Sequence, residues 1–314
     1  MLQKLWKIIK SILFLGVLGV AIYGVTLAIL PKIPDFYQED EWDVVFFGSS
    51  QAYCTFDPEI FDEYGLKTYN RGRQQQTLNY TYYYVKDAFD VADIDIVVLE
   101  TFAFNYDEGD DRFHNSGIRE STLGDMRYSQ IKVDAILDCV EEDLQFEYLN
   151  PLDKYHSNWE KWDFSSWERI QETVFSPYYE ENSDRGFFGW TGKTAFGYPS
   201  WTQLHGGEHL DVYSENLRYL EMIYELCEEN DAQLILVRGP LPSYEKVIGQ
   251  TNTVMDWAAE RNIPFINFML LTEIIGLDFT SDSIDEGVHL NDNGAAKVSR
   301  YLAQYIMEHY YTEE

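Results

Sequence analysis

Two side chains far apart in the chain have the types that acyl-transfer chemistry needs. Ser50 closes the run Gly48-Ser49-Ser50, and His289 stands in Asp285-Glu286-Gly287-Val288-His289-Leu290-Asn291 near the C-terminus. A serine hydroxyl is a weak nucleophile until a base takes its proton, and the base must itself be held by a third group. An acid three or four residues before a histidine on one loop can hold the imidazole through Nδ1–H, leaving Nε2 for the serine. Asp285 and Glu286 both meet that spacing, and the shorter side chain of Asp285 suits a fixed geometry better. Gly-Ser-Ser alone is a common turn. The acid, the histidine and the Asn-x-x-Gly that follows give it weight.

Other reactive residue types lack such an arrangement. Cys54, Cys139 and Cys227 have no metal-ligand spacing and no disulfide framework, and Cys54 reads as packing near Ser50. His114, His156, His205 and His209 lack zinc-site spacing, so no metal is expected. Asp107, Glu108, Asp110 and Asp111 lack the alternation of a calcium loop and read as a solvated face. Arg238-Gly239-Pro240 follows a strand and is placed at the same sheet edge as Ser50.

The elements around these residues alternate between strand and helix. Val44 to Phe47 reads as a buried strand running into the Gly48 turn. A helix from Phe56 to Tyr64 follows, with Asp57 as N-cap and Pro58 at its first position. Lys67 to Tyr69 and Ile94 to Glu100 are strands, with a Tyr-rich helix over Thr77 to Ala88 between them. After residue 212 the rhythm resumes. Ser214 caps a helix striped by Leu217, Leu220, Ile223 and Cys227. Gln233 to Val237 and Pro264 to Phe268 are strands, and Gly294 to Met307 is an amphipathic helix. This predicts an α/β fold, a doubly wound parallel sheet between helical layers. In such a sheet, reactive groups sit in loops at the carboxyl ends of strands. The helix start after Ser50 also leaves N–H groups able to face an oxyanion. Residues 105–212 lose the rhythm and hold Trp159, Trp162, Trp167, Trp190 and Trp201, five of the eight tryptophans. They read as a long insertion, helical near Val133 to Leu144, that roofs one end of the sheet.

The same residues resemble the SGNH, or GDSL-like, hydrolase superfamily. Phe47-Gly48-Ser49-Ser50-Gln51 is similar to its first motif, and His289-Leu290-Asn291-Asp292-Asn293-Gly294 to its last. The resemblance covers essentially the whole soluble domain and is closest to membrane-tethered relatives of the teichoic acid D-alanyl transfer protein. It implies a three-layer α/β/α fold, Ser50 as nucleophile, His289 as base and no cofactor. It also implies an oxyanion hole built from Ser50, Gly72 of Asn70-Arg71-Gly72, and Asn105. The chain departs from the family in three places. Glu286 holds the Asp-x-x-His position with Asp285 one residue further off, no second Gly follows Gly72, and Thr101-Phe102-Ala103-Phe104-Asn105 replaces Gly-x-Asn-Asp.

Ser11 to Leu30 carries no charge, and 20 helical residues at about 1.5 Å each span a bilayer core. Lys4, Lys7 and Lys10 precede it, while Asp35, Glu39, Asp40 and Glu41 follow. The positive-inside rule puts the N-terminus in the cytoplasm and the remainder outside. Residues 1–34 are thus expected to be a tip and single-pass anchor in the cell membrane, and residues 35–314 an extracytoplasmic domain. All 54 acids lie after residue 34 against 23 bases in the whole chain, for a net charge of −31. Such a surface repels nucleic acid. A tethered outward-facing enzyme meets envelope polymers, not ATP or NAD. The expected partners are therefore a cell-envelope glycan or acylated carrier and a membrane-bound acyltransferase. The expected function is that of a serine esterase or O-acyltransferase. The alternative is a non-catalytic envelope protein of the same fold that scaffolds an acyl-transfer system.

Overall fold

The computed structural model describes residues 2–161, 165–168, 179–180, 184–193, 207–241 and 245–311. The uninterrupted apolar runs read from the sequence pair in one parallel sheet. Its strands are β1 (Glu41–Phe47), β2 (Thr68–Asn70), β3 (Asp93–Glu100), β4 (Gln233–Arg238) and β5 (Phe265–Asn267). The order is β2-β1-β3-β4-β5. Both faces are covered, which is why the strands read as continuous rather than alternating hydrophobic runs. Val45, Phe47, Val97, Leu99, Leu234 and Leu236 enter one core. Val44, Phe46, Ile96, Val98, Ile235 and Val237 enter the other.

The helices that matter below are α1 (Leu2–Ile29), α2 (Ser50–Tyr53), α3 (Pro58–Asp62), α4 (Leu78–Phe89), α5 (Ser214–Glu229), α6 (Glu245–Glu260) and α7 (Asp292–Tyr310). Side chains of α4, α5 and α6 join the first core, and those of α3 and α7 the second. On α7 the buried residues Ala295, Val298, Leu302 and Ile306 recur at helical spacing. The architecture is three-layered, α/β/α.

Local details differ from the sequence reading. Ser214 is the first residue of α5, and Tyr213 sits at the cap position without a side-chain bond. The helix expected over Val133 to Leu144 is two, Gln130–Cys139 and Glu142–Leu149. They part because Val140 and Glu141 take extended ψ values of 139° and 140°. Val140 is buried, and the Glu141 carboxylate pairs with Arg119 and His114. Within 105–212 the helix Gln130–Cys139 packs along α4 rather than over a sheet end. Residues 162–164, 169–178, 181–183 and 194–206, with Trp162, Trp201 and His205, lie outside the described residues.

Among the described residues one helix is long and apolar enough to cross a membrane. It is α1, over Gln3–Thr26 with mean hydropathy 2.2. The helix runs through Lys4, Lys7 and Lys10 rather than starting at Ser11. Packing against the rest of the chain begins with Ile29 and Ile33, both 2% exposed.

Candidate active site

Ser50 is set by a turn that only glycine allows. Gly48 has φ +138°, and a Cβ there would lie 2.8 Å from Glu100 Cβ and 3.0 Å from the Glu100 carbonyl oxygen. The ends of β1 and β3 thus touch through backbone. Ser49 then caps α2. Its Oγ accepts the Gln51 N–H at 3.2 Å and donates to Glu100 Oε2 at 2.9 Å. Ser50 is the first helical residue, half-buried, where an N–H has no partner within its own helix. In a sheet of order 2-1-3-4-5 the chain reverses between β1 and β3, which opens a crevice at their carboxyl ends. Ser50 stands in it.

His289 comes from the other end of the chain. It lies in a two-stranded pair, Ser283–Ile284 with His289–Leu290, immediately before α7. Asn291 caps α7 by accepting the Gly294 N–H at 3.1 Å. His289 Nε2 is 2.9 Å from Ser50 Oγ, and Nδ1 is 3.2 Å from Asp285 Oδ2. Of the two neighbouring acids, it is Asp285 that this geometry brings to Nδ1. The loop achieves this by coiling. Asp285, Glu286 and Gly287 have φ of 50°, 58° and 91°, all left-handed. Such conformations cost free energy for the two non-glycine residues and are held by their surroundings. One such restraint is Gln51, buried, whose Nε2 donates to the Val288 carbonyl at 2.7 Å. It ties the helix that starts at Ser50 to the residue before His289. The Asp285 side chain is 57% exposed, so water screens its field on the imidazole.

The other two residues of the expected oxyanion hole are engaged elsewhere. The Gly72 N–H donates to Asn70 Oδ1 at 3.0 Å, closing an Asx turn. Gly72 is needed for close approach, since a Cβ would meet Ala52 Cβ at 2.9 Å and the Ser49 oxygen at 3.0 Å. Asn105 donates through Nδ2 to the Phe102 carbonyl at 2.8 Å, inside the turn Phe102–Asn105. Local turn chemistry claims the Gly72 N–H and one of the two Asn105 Nδ2 hydrogens. That leaves the Ser50 amide as the helix-start donor beside the nucleophile.

Several residues around the pair were not singled out by the sequence. Glu100 is fully buried, takes Ser49 Oγ–H and the Phe102 N–H at 2.8 Å, and lies 3.9 Å from Arg238. Burial pushes its carboxyl up to about 7, opposed by Arg238 and the hydrogen bonds. Arg238 is buried beneath the site, not on the pocket surface, with its guanidinium over the Phe102 ring. Tyr53, one turn after Ser50, is pushed up to about 12 by burial. Its ring meets Phe188, which meets Trp190, both edge-on. The segment bearing these rings is pinned from several sides. Phe188 N–H donates to the Tyr53 carbonyl, Asp292 N–H to that of Trp190, and Asn291 Nδ2 to that of Gly192. The i,i+3 position of Tyr53 is the one local signal among these. Cys54 is buried, and burial pushes its thiol up to about 12, so it is inert.

The other described histidines have partners away from Ser50. His114 meets Glu141, His209 meets Asp256, and His156 meets the Asp153 carbonyl. No metal-ligating cluster occurs among the described residues. In the acidic run, Asp107 pairs with Lys246 and Asp110 with Arg112.

No protein-family model and no curated protein matches this chain. Solved structures do. The chain is similar to a candidate acylhydrolase from Bacteroides fragilis at 12% identity and TM-score 0.40, over 91% of this chain and 94% of that one. It is similar to a GDSL-like lipase from Bacteroides thetaiotaomicron at 12% identity and TM-score 0.38, over 92% and 97%. At such identity and TM-score neither neighbour decides what this chain does.

Proposed function

We propose that this chain is an SGNH-type serine esterase or O-acyltransferase, anchored by residues 11–30 and acting on acyl groups of a cell-envelope glycan outside the cell. One observation carries the reading: the unbroken contact chain Ser50 Oγ, His289 Nε2, His289 Nδ1, Asp285 Oδ2. Ser50 Oγ attacks the carbonyl of an ester or thioester while Nε2 takes its proton. Asp285 holds the tautomer that leaves Nε2 as acceptor and stabilises the imidazolium. The tetrahedral oxyanion faces the Ser50 amide at the start of α2. Collapse expels the alcohol or thiol, which takes the proton back from Nε2, and leaves Ser50 acylated. Water or a glycan hydroxyl then repeats the sequence and frees the serine.

With the Gly72 N–H and one Asn105 N–H donating elsewhere, oxyanion stabilisation is reduced, which favours slow transfer to a chosen acceptor over rapid hydrolysis. In this reading residues 1–34 are the tip and anchor, and residues 35–314 the working domain. Lys4, Lys7 and Lys10 mark the cytoplasmic side. The acyl donor is an acylated carrier or a membrane-bound acyltransferase. The same engagement of the Gly72 N–H favours the second reading, a non-catalytic scaffold of this fold. A fluorophosphonate probe on the full chain in detergent separates the two. The catalytic reading expects labelling that disappears in Ser50→Ala and His289→Ala. Labelling unchanged in Ser50→Ala rejects the nucleophile, and a wild-type chain that never labels favours the scaffold.

A further inference from the structure

The last turn of α1 is bonded to the folded chain, and that bond fixes where one surface must lie. The candidate span of α1 ends at Thr26, and the uncharged apolar run continues through Ile29 to Leu30. Ile29, three residues after Thr26, is 2% exposed, and its carbonyl accepts Asn158 Nδ2 at 2.7 Å. The end of α1 packs against helix Pro151–Lys154 and the turn His156–Lys161. At about 1.5 Å per residue Ile29 lies about 4.5 Å beyond Thr26. The polar layer on each side of a bilayer core is about 5–8 Å deep. If α1 spans, residues 151–161 therefore sit in the headgroup layer.

Their side chains suit that place. Leu152 is 41% exposed and Trp159 58%, and Phe146 in the adjoining helix Glu142–Leu149 is 72% exposed. Tryptophan concentrates where one part of its ring meets hydrocarbon and its N–H meets water. Charge is not the attraction. Lys154 is paired with Glu120 and Glu147, and within residues 151–161 Asp153 and Glu160 balance Lys154 and Lys161.

We propose that residues 151–161, through Leu152 and Trp159, lie on the bilayer that α1 crosses and hold the domain at a set height and tilt. The inference rests on α1 being a membrane span. The occupant is the headgroup layer of that same bilayer, by continuity with the helix that enters it. A domain so docked does not swing freely on its anchor.

The test uses the full chain in phosphatidylcholine vesicles. Trp159→Cys, Leu152→Cys and, on α3 in the opposite helical layer, Glu59→Cys each carry an environment-sensitive fluorophore; the three native cysteines are buried. Lipids spin-labelled near the headgroup are expected to quench positions 152 and 159 at least threefold more than position 59. Asn158→Ala, which frees Ile29, is expected to halve that difference, and one third phosphatidylserine to leave it within twofold. Equal quenching at all three positions, in vesicles that keep the chain through an alkaline carbonate wash, overturns the docking alone. Loss of the chain in that wash overturns the membrane span and the docking with it. Quenching that appears only with phosphatidylserine replaces the apolar contact by an electrostatic one and refutes it.

Discussion

Replacing Asp285 by Asn probes the weakest link of the catalytic chain. The substitution keeps the size of the side chain and removes its charge. It also allows the amide to present Nδ2 to His289 Nδ1, which favours the tautomer with its proton on Nε2, unable to accept from Ser50. The magnitude follows from the geometry. At the observed 3.2 Å, a full carboxylate–imidazolium attraction is about 1.3 kcal/mol in bulk water and about 5 kcal/mol at an effective dielectric near 20. With the Asp285 side chain 57% exposed, the lower half of that range applies, about 2–3 kcal/mol. At 1.36 kcal/mol per decade that is a loss of about 30- to 150-fold in kcat. The rate of fluorophosphonate labelling and the turnover of a nitrophenyl ester both read it. Glu286→Gln serves as the control and should stay within twofold of wild type. The reasoning fails if Asp285→Asn remains within twofold, or if Glu286→Gln is the more damaged variant.

Further outcomes follow from the surrounding contacts. Gly48→Ala should destabilise the fold by about 3 kcal/mol or more, since it combines a left-handed φ with a 2.8 Å clash against Glu100 Cβ; a urea midpoint equal to wild type would contradict the packing described. Gln51→Ala should lower kcat about tenfold with KM within twofold, the effect of one lost hydrogen bond of about 1.4 kcal/mol on positioning; a change confined to KM would point to substrate contact instead. The Glu100 carboxyl is raised to about 7 in the folded chain against its ordinary 4.5, so the folded state holds the extra proton between those pH values. Stability should therefore fall as pH rises through that window, by about 3 kcal/mol in total, and remain low above it. Urea unfolding at pH 5 and pH 8 measures the drop, and an equal slope in Glu100→Gln would assign it to other groups. Native protein at pH 8 should resist a thiol reagent and release three thiols only when unfolded, because all three cysteines are buried; rapid native modification of one would refute the inert Cys54.

The parts of the fold legible in the sequence were those governed by burial on a period. Val44 to Phe47 and Ile94 to Leu99 could only be strands covered on both faces, and the stripe Ala295, Val298, Leu302, Ile306 could only be the inner face of a helix. The Ser50–His289 pair was legible because one lies in a turn after a strand and the other in a loop before a helix. What remained hidden depends on contacts between distant segments. Glu100 reads as the polar end of a strand, and nothing nearby announces that Ser49 and Arg238 enclose it. Trp190 looks like one aromatic among many until Asp292 takes hold of its backbone. Gly72 and Asn105 sat where oxyanion donors belong, but the competing acceptors, Asn70 Oδ1 and the Phe102 carbonyl, are decided by turn conformation and not by spacing.

The proposed nucleophile, Ser50, and its proposed base, His289, are separated by 239 residues, and this sets the order in which the site can come into being. Synthesis delivers Ser50 well before His289. At roughly 5–20 residues per second that gap lasts about 10–50 s. During it β1, the second strand of the finished sheet, can pair with β2 and β3 while its serine has no base. An unfinished or C-terminally clipped chain is therefore a folded-looking but silent product. On the proposed mechanism, activity reports that the chain has been made through His289 and closed on Ser50.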